Sequence, residues 1–374
     1  IKAELVIMKT IAKKIEKTFI EMGSKVTISD ITPYASRKDK IDFEPIRGFL
    51  SEHERFLLLT HIGPDGDGLL ACVAMSRYLR TIDKHATVVI EGATPVFLAP
   101  YDPEGLVRTR EELLAHEDWA KHFDAILVVD TGKPERIGKI RHAVVESKLP
   151  VAVIDHHIRE EGDFDGPSVI DISAASVGQI IAEYFDSEGY SFEDLLVVRA
   201  LFATLSYDTG HFRFTNTTEQ TFRWASRLVE LGAKPSEAFA IFWESNSVAS
   251  LKLLGHLMND LHIECGGRLG WFAMSGEDLE KFGVKREETE EYISVPRSIA
   301  SLEVIAQFSE INKNLIRVSL RSKGRISIHE VALRFGGGGH AFAAGARIPD
   351  TLENASKMVA EALTEKIRVE MGPD

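Results

Sequence analysis

Four short apolar runs do most to limit what this chain can fold into: Phe56-Leu-Leu-Leu-Thr60, Ala86-Thr-Val-Val-Ile90, Ala125-Ile-Leu-Val-Val129 and Val151-Ala-Val-Ile154. Their length and their Val, Ile and Leu content suit buried strands, and residues 68–79 between the first two carry apolar side chains at helical spacing. Strands alternating with helical or polar stretches over residues 55–215 predict an α/β fold, a parallel sheet with helices on both faces. Ligands of such sheets gather outside the carboxyl ends of the strands. Acidic residues stand there: Asp65 follows the first run, Asp130 the third and Asp155 the fourth.

The pattern around this block predicts four segments. Residues 1–50, with a helix expected over 7–22 and a strand over 25–29, form an extension, since one helix and one strand cannot bury a core alone. Residues 51–225 form the α/β domain and 226–259 a helical linker. Residues 260–374, where strand-like runs at 261–264, 268–274 and 314–320 precede helices near 327–334 and 352–369, form a smaller α+β domain.

Chemistry concentrates in a few motifs. His61-x₃-Asp65-x-Asp67 gathers three donors in one turn, Asp130 precedes Thr-Gly, Asp155-His156-His157 ends the fourth strand, and Asp208 precedes another Thr-Gly. Each motif alone has a structural reading: Pro-Asp-Gly-Asp-Gly is good turn chemistry, Asp130 could cap a helix, and Asp208 could make an Asx turn. Three consecutive polar groups closing a buried strand need partners. Four acidic clusters expected at strand ends, two with histidine, converge on one edge and could hold two divalent cations side by side. Far downstream, Arg334-Phe-Gly-Gly-Gly-Gly339-His340 offers glycines whose N–H groups could cradle an anion. Gly337, Gly338, Gly339 and His340 are therefore candidate substrate contacts, and Arg213 and Arg321 are further candidates for phosphate.

Taken in order, these motifs resemble the DHH phosphoesterase superfamily, named for the Asp-His-His triplet, with Gly-Gly-Gly-Gly-His340-Ala-Phe-Ala-Ala-Gly345 resembling its DHHA1 accessory domain. The segment Asp208-Thr-Gly-His-Phe-Arg-Phe-Thr-Asn-Thr-Thr218 and Leu320-Arg-Ser-Lys-Gly are most similar to the nano-RNase (oligoribonuclease) and pAp phosphatase branch. The resemblance implies that His61 and Asp65 bind one metal, Asp67, His156 and Asp208 a second, and that Asp130 bridges them. It further implies that Asp155 orients a neighbouring imidazole while His157 faces the substrate phosphate. The implied cofactor is a pair of Mn²⁺ ions, with Mg²⁺ or another divalent cation as substitutes. The implied substrates are short RNA, linear dinucleotides or 3′-phosphoadenosine 5′-phosphate. Gly68 and Ala71 depart from the family pattern, where Ala and Ser are commoner, and Arg159 stands near a position often held by Asn.

Charge narrows the partners. A net charge of −13 and the absence of any long Lys/Arg run argue against a grip on long duplexes. No apolar run is long enough to span a membrane, Cys72 and Cys265 read as buried thiols, and a cytoplasmic protein is expected, with room for a homodimer. The rival readings are a cyclic dinucleotide phosphodiesterase, a longer single-strand exonuclease, a family II pyrophosphatase, and a nucleotide sensor that binds without hydrolysing.

Overall fold

The computed structural model describes residues 40–159, 161–339 and 341–372; the helix and strand expected over 7–22 and 25–29, and His340, lie outside the described residues. The chain divides between Glu244 and Ser245 into two units.

The first unit runs α1 (Glu44–Glu52), β1 (Arg55–Leu59), α2 (Gly68–Thr81), β2 (His85–Ile90), β3 (Arg108–Thr109), α3 (Arg110–Leu114), β4 (Ala125–Val129), α4 (Ile140–Ser147), β5 (Val151–Asp155), β6 (Ser168–Ile170), α5 (Val177–Ser187), α6 (Leu195–Asp208), α7 (Glu219–Glu230) and α8 (Pro235–Trp243). Its six strands pair in the order β3-β2-β1-β4-β5-β6, all parallel. Alternate side chains serve opposite faces. Phe56, Leu58, Leu127 and Ile154 join one core with residues of α2, α5 and α6, while Leu57, Leu59, Val128 and Val153 join another with Trp119, Ile140 and Val144. Both faces are covered, which is why these strands read as unbroken apolar runs. From β1 the strand order runs one way to β2 and β3, and from β4 the other way to β5 and β6. The crevice beyond the carboxyl ends of β1 and β4 is thus the switch point where such sheets bind ligands.

Asp208 does not end a strand; it is the last residue of α6. The sequence Leu-Leu-Val-Val-Arg-Ala-Leu-Phe-Ala-Thr-Leu-Ser-Tyr-Asp is apolar on nearly every side because α6 is buried among other helices, nine of its residues being buried. Periodicity cannot separate such a helix from a buried strand.

The second unit runs α9 (Val248–Asn259), β7 (His262–Glu264), β8 (Leu269–Met274), α10 (Gly276–Phe282), β9 (Val304–Asn312), β10 (Leu315–Ser322), α11 (His329–Arg334), β11 (Gly338–Gly339), β12 (Ala343–Ile348) and α12 (Leu352–Met371). Its sheet order is β11-β12-β10-β9-β8-β7, antiparallel except between β8 and β9. The expected linker is shared out: Leu228 and Phe242 of α7 and α8 pack into the first unit's core, and Leu253 and Leu257 of α9 pack with Phe272 and Met274 of β8. Strand β9 escaped the sequence reading because buried Gln307 and Ser309 interrupt its apolar pattern; Gln307 donates through Nε2 to Thr289 O at 3.1 Å, while its Oε1 is buried without a donor.

The glycine run has backbone reasons of its own. Gly336, at φ +71°, closes α11 by donating to Leu333 O, and Gly337 donates to Ala332 O, the paired bonds of a Schellman turn. The N–H groups of Gly336 and Gly337 are therefore committed to the helix, which removes them from the expected anion cradle. A Cβ on Gly337 would collide with Gly345 O and stand 2.7 Å from Ala346 Cβ. Gly337→Ala should cost about 3 kcal/mol or more, since backbone on both sides has to move; urea unfolding of the variant measures it.

Candidate metal centre

The loop from β1 to α2 supplies the first donors. His61 sets Nδ1 against Ile62 O at 3.0 Å, a contact that assigns a ring proton to Nδ1 and turns Nε2 inward. That Nε2 lies 3.4 Å from Asp65 Oδ2 and 3.3 Å from Asp130 Oδ2. Asp65 uses its other oxygen, Oδ1, to accept from the N–H groups of Asp67 and Gly68 at the start of α2, at 3.0 and 3.1 Å. Asp67 is wholly buried and accepts from Val177 N at 2.7 Å and Gly178 N at 3.1 Å, the first N–H groups of α5. A helix N-terminus offers donors and partial positive charge to a carboxylate.

Asp130 stands at the centre. Its N–H bonds Ile154 O at 2.9 Å, yet its φ of +68° is left-handed, a conformation that costs a non-glycine residue about 1–2 kcal/mol. The turn sends its two oxygens to different imidazoles: Oδ2 to His61, and Oδ1 to within 3.3 Å of His156 Nε2. Oδ1 is buried without a donor in bonding geometry. Room for this carboxylate depends on Gly68, where a Cβ would collide with Thr60 Oγ1 and approach Asp130 Oδ2 to 3.0 Å. Thr60 thus fills the volume that an alanine at 68 would need. Gly68→Ala should destabilise by about 1–3 kcal/mol, and Thr60→Ala in the same chain should recover most of the loss. Thermal denaturation of the two single variants and the double variant measures this coupling.

At the end of β5, Asp155 Oδ1 accepts from the N–H groups of His156 and His157 and lies 2.7 Å from His157 Nδ1. His156 faces Ala174 O through Nδ1 at 3.3 Å and directs Nε2 to Asp130, to Asp208 Oδ2 at 3.3 Å and to Asp67 Oδ2 at 3.7 Å. Asn216 donates to both Asp208 O and Ala175 O, tying the end of α6 to the loop before α5.

Two groups of donors have the compactness a cation requires, His61 with Asp65 and Asp130, and Asp67 with His156 and Asp208; a third joins Asp130, His156 and His157. Their charges strain against one another. Burial disfavours charge on His61 and His156, but the carboxylates, led by Asp65 for the first and Asp130 for the second, hold both well above an ordinary histidine. Burial and the carboxylates of Asp208 and Asp130 push Asp67 well up. Asp208 is pushed up to about 7 by burial, which His156 opposes and Asp65 and Asp130 reinforce. Burial also works against charge on Asp130, yet His156 and His61 hold it well below the usual carboxylate range. The site therefore holds protons where a divalent cation would neutralise the same acids, and oxygen with imidazole is the donor chemistry for such ions. The residues fit a metal.

Arg213 donates Nε to Gly210 O at 2.7 Å, and Arg321, on β10, donates to Leu320 O at 3.0 Å. Gly338 and Gly339 pair with Gly345 and Ala344. What the sequence reading missed is the start of α5; its signal was Ser176 before an apolar helical run, and the Ser176 side chain does cap the helix by accepting from Gln179 N. Cys72 and Cys265 are buried free thiols, as expected. No helix among the described residues is long and apolar enough to cross a membrane.

Residues 55–205 match the DHH family, N-terminal domain, and residues 272–367 match the DHHA1 domain. The chain is 28% identical to the bifunctional oligoribonuclease and PAP phosphatase NrnA of Thermus thermophilus, over 83% of this chain and 89% of that protein. It is 27% identical to the Bacillus subtilis protein of the same name, over 84% and 96%. The cyclic-di-AMP phosphodiesterase PdeA of Listeria monocytogenes is 25% identical over 86% of this chain but only 49% of its own length. Among solved structures, an exopolyphosphatase-related protein from Bacteroides fragilis shares the fold, with a TM-score of 0.79, 22% identity and coverage of 89% of this chain and 98% of that one.

Proposed function

Because the chain belongs to the DHH phosphoesterase family and carries a DHHA1 domain, we propose that it hydrolyses phosphate esters of short oligoribonucleotides, linear dinucleotides and 3′-phosphoadenosine 5′-phosphate in the cytoplasm. The observation that carries this reading is Asp130, one carboxylate whose two oxygens face two separate donor groups. His61 and Asp65 would hold one divalent cation, Asp67, His156 and Asp208 the other, and Asp130 would be shared. Bound cations would acidify water and neutralise phosphate charge, the chemistry that ester hydrolysis needs. Asp155 fixes the Nδ1 side of His157, so that His157 would meet a substrate phosphate through Nε2 and supply a proton there. Arg213, and in the DHHA1 domain Arg321, Gly338, Gly339 and His340, are the phosphate contacts this reading expects. The relatives named for action on oligoribonucleotides and PAP match along nearly their whole length, which favours these substrates over cyclic dinucleotides.

Cation binding must displace protons from His61, His156, Asp67 and Asp208. Lower pH favours the protonated ligands, so affinity should fall as pH falls and rise through neutrality, with proton release on binding. Calorimetric titration of Mn²⁺ in two buffers of different ionisation enthalpy measures that release.

The functional reading is tested by turnover with Mn²⁺ on pAp, pApA, pGpG, cyclic di-AMP and RNA from a dinucleotide to a long single strand. Preference for pAp and the shortest RNAs is the expected result. Efficient degradation of long strands, preference for the cyclic dinucleotide, or tight binding without cleavage would each overturn it.

A further inference from the structure

The first unit carries a band of aromatic rings beside the metal centre that none of the donor groups uses. Directly after Asp208, Gly210, His211 and Phe212 take left-handed φ values of +54°, +57° and +64°. Glycine adopts this freely, whereas His211 and Phe212 each hold a conformation that costs about 1–2 kcal/mol. Strain of this kind persists where surrounding contacts enforce it, often at functional sites. Here His211 N donates to Ser206 O at 2.6 Å and His211 Nδ1 meets Ser206 Oγ at 2.9 Å, from a serine buried two residues before Asp208.

The strained turn delivers the His211 ring to the last turns of α8, 4.9 Å from Phe239 and 5.7 Å from Trp243. Phe239 and Trp243, four residues apart on one helix face, stack on each other at 5.5 Å with 22° between their planes. Trp243 meets Phe242 edge-on, and Phe242 packs at 4.9 Å against Tyr207. Phe242 and Tyr207 in turn crowd the loop that holds Asp65 and Asp67, since a Cβ on Gly66 would stand 2.7 and 2.8 Å from them. The band is therefore continuous from the loop after β1 to the turn after α6. Phe242 is buried, but His211, Phe239 and Trp243 are only half-buried. Burial together with Arg213 lowers the His211 pKa, which favours a neutral ring.

The geometry points to His211, Phe239 and Trp243 as a stacking surface for a nucleobase of the substrate. Flat, partly open rings beside the donors of a phosphate-directed site suit a base whose phosphate is held nearby, and stacking accepts any base because each has a π-face. The inference rests on the nucleotide-hydrolase reading above and adds its recognition element: discrimination between base-bearing and base-free phosphate esters, with tolerance of base identity.

The test compares pApA with its abasic counterpart. The ratio of their kcat/KM values is measured in the intact chain and in the Phe239→Leu, Trp243→Leu and Trp243→Phe variants. Leucine keeps apolar volume and removes the stack. A stacked ring contributes on the order of tenfold in affinity, so each leucine variant should lower the preference for pApA by about that factor, mainly through KM, and phenylalanine at 243 should restore most of it. The same ratio is read without turnover from equilibrium Kd values for pAp and for ribose 3,5-bisphosphate lacking the base. An unchanged ratio in correctly folded leucine variants overturns the stacking surface. Absence of hydrolysis in the intact chain, with the binding ratio still sensitive to these residues, instead overturns the hydrolase reading and leaves the surface standing.

Discussion

Asp130→Asn is expected to lower turnover of a dinucleotide by on the order of a thousandfold or more, the scale on which a central electrostatic contributor acts. Asparagine is the informative replacement because it tolerates left-handed backbone, so the turn at φ +68° should survive while one carboxylate oxygen becomes an amide. The substitution deprives one donor group of a charged oxygen and weakens the other, because Oδ1 and Oδ2 face His156 and His61 separately. Asp130→Ala would combine the same loss with backbone strain and confuse the two causes. Steady-state kinetics at saturating Mn²⁺, with far-ultraviolet circular dichroism as the folding control, measure the effect. Near-normal turnover in the folded asparagine variant would remove Asp130 from the chemistry.

Chelating divalent cations should abolish turnover and also loosen the first unit. Asp65, Asp67, Asp130 and Asp208 converge with two imidazoles in a largely buried space, and their mutual repulsion is relieved in the cation-free chain by retained protons and by the backbone N–H groups on Asp65 and Asp67. A cation that binds the folded form alone stabilises by about 2.7 kcal/mol at a hundred times its Kd. For a unit of this size that corresponds to roughly 5–10 °C in Tm. The shift should appear on adding Mn²⁺ to chelated protein, grow with pH through neutrality as the protons of His61, His156 and Asp208 are displaced, and vanish with excess chelator. Differential scanning calorimetry measures it; an identical Tm in both states would contradict cation binding at these carboxylates.

Much of the site was legible because the sheet is. His61, Asp65, Asp130, Asp155 and His156 each follow an abrupt change from buried apolar strand to polar loop, and parallel strands that face no solvent leave that boundary sharp in the sequence. Asp208 shows where legibility stops: its residue type was readable, while its helix was not, because α6 is apolar all round. What the backbone contributes could not be read at all. The N–H groups of Val177 and Gly178 that anchor Asp67 belong to no side chain, and nothing in the residue types at 130 and 211 announces the left-handed turns found there. The glycine run shows the opposite limit, since Gly336 and Gly337 serve a helix terminus and a close strand approach that look like an anion cradle when only the sequence is read.

Mn²⁺ binding followed by electron paramagnetic resonance reads directly whether a pair of cations shares Asp130. Two ions per chain with the exchange-coupled spectrum of neighbouring Mn²⁺ ions, reduced to an uncoupled or single-ion signal by Asp130→Asn, is the predicted result. A single ion in the unaltered chain, or two ions without coupling, would contradict it.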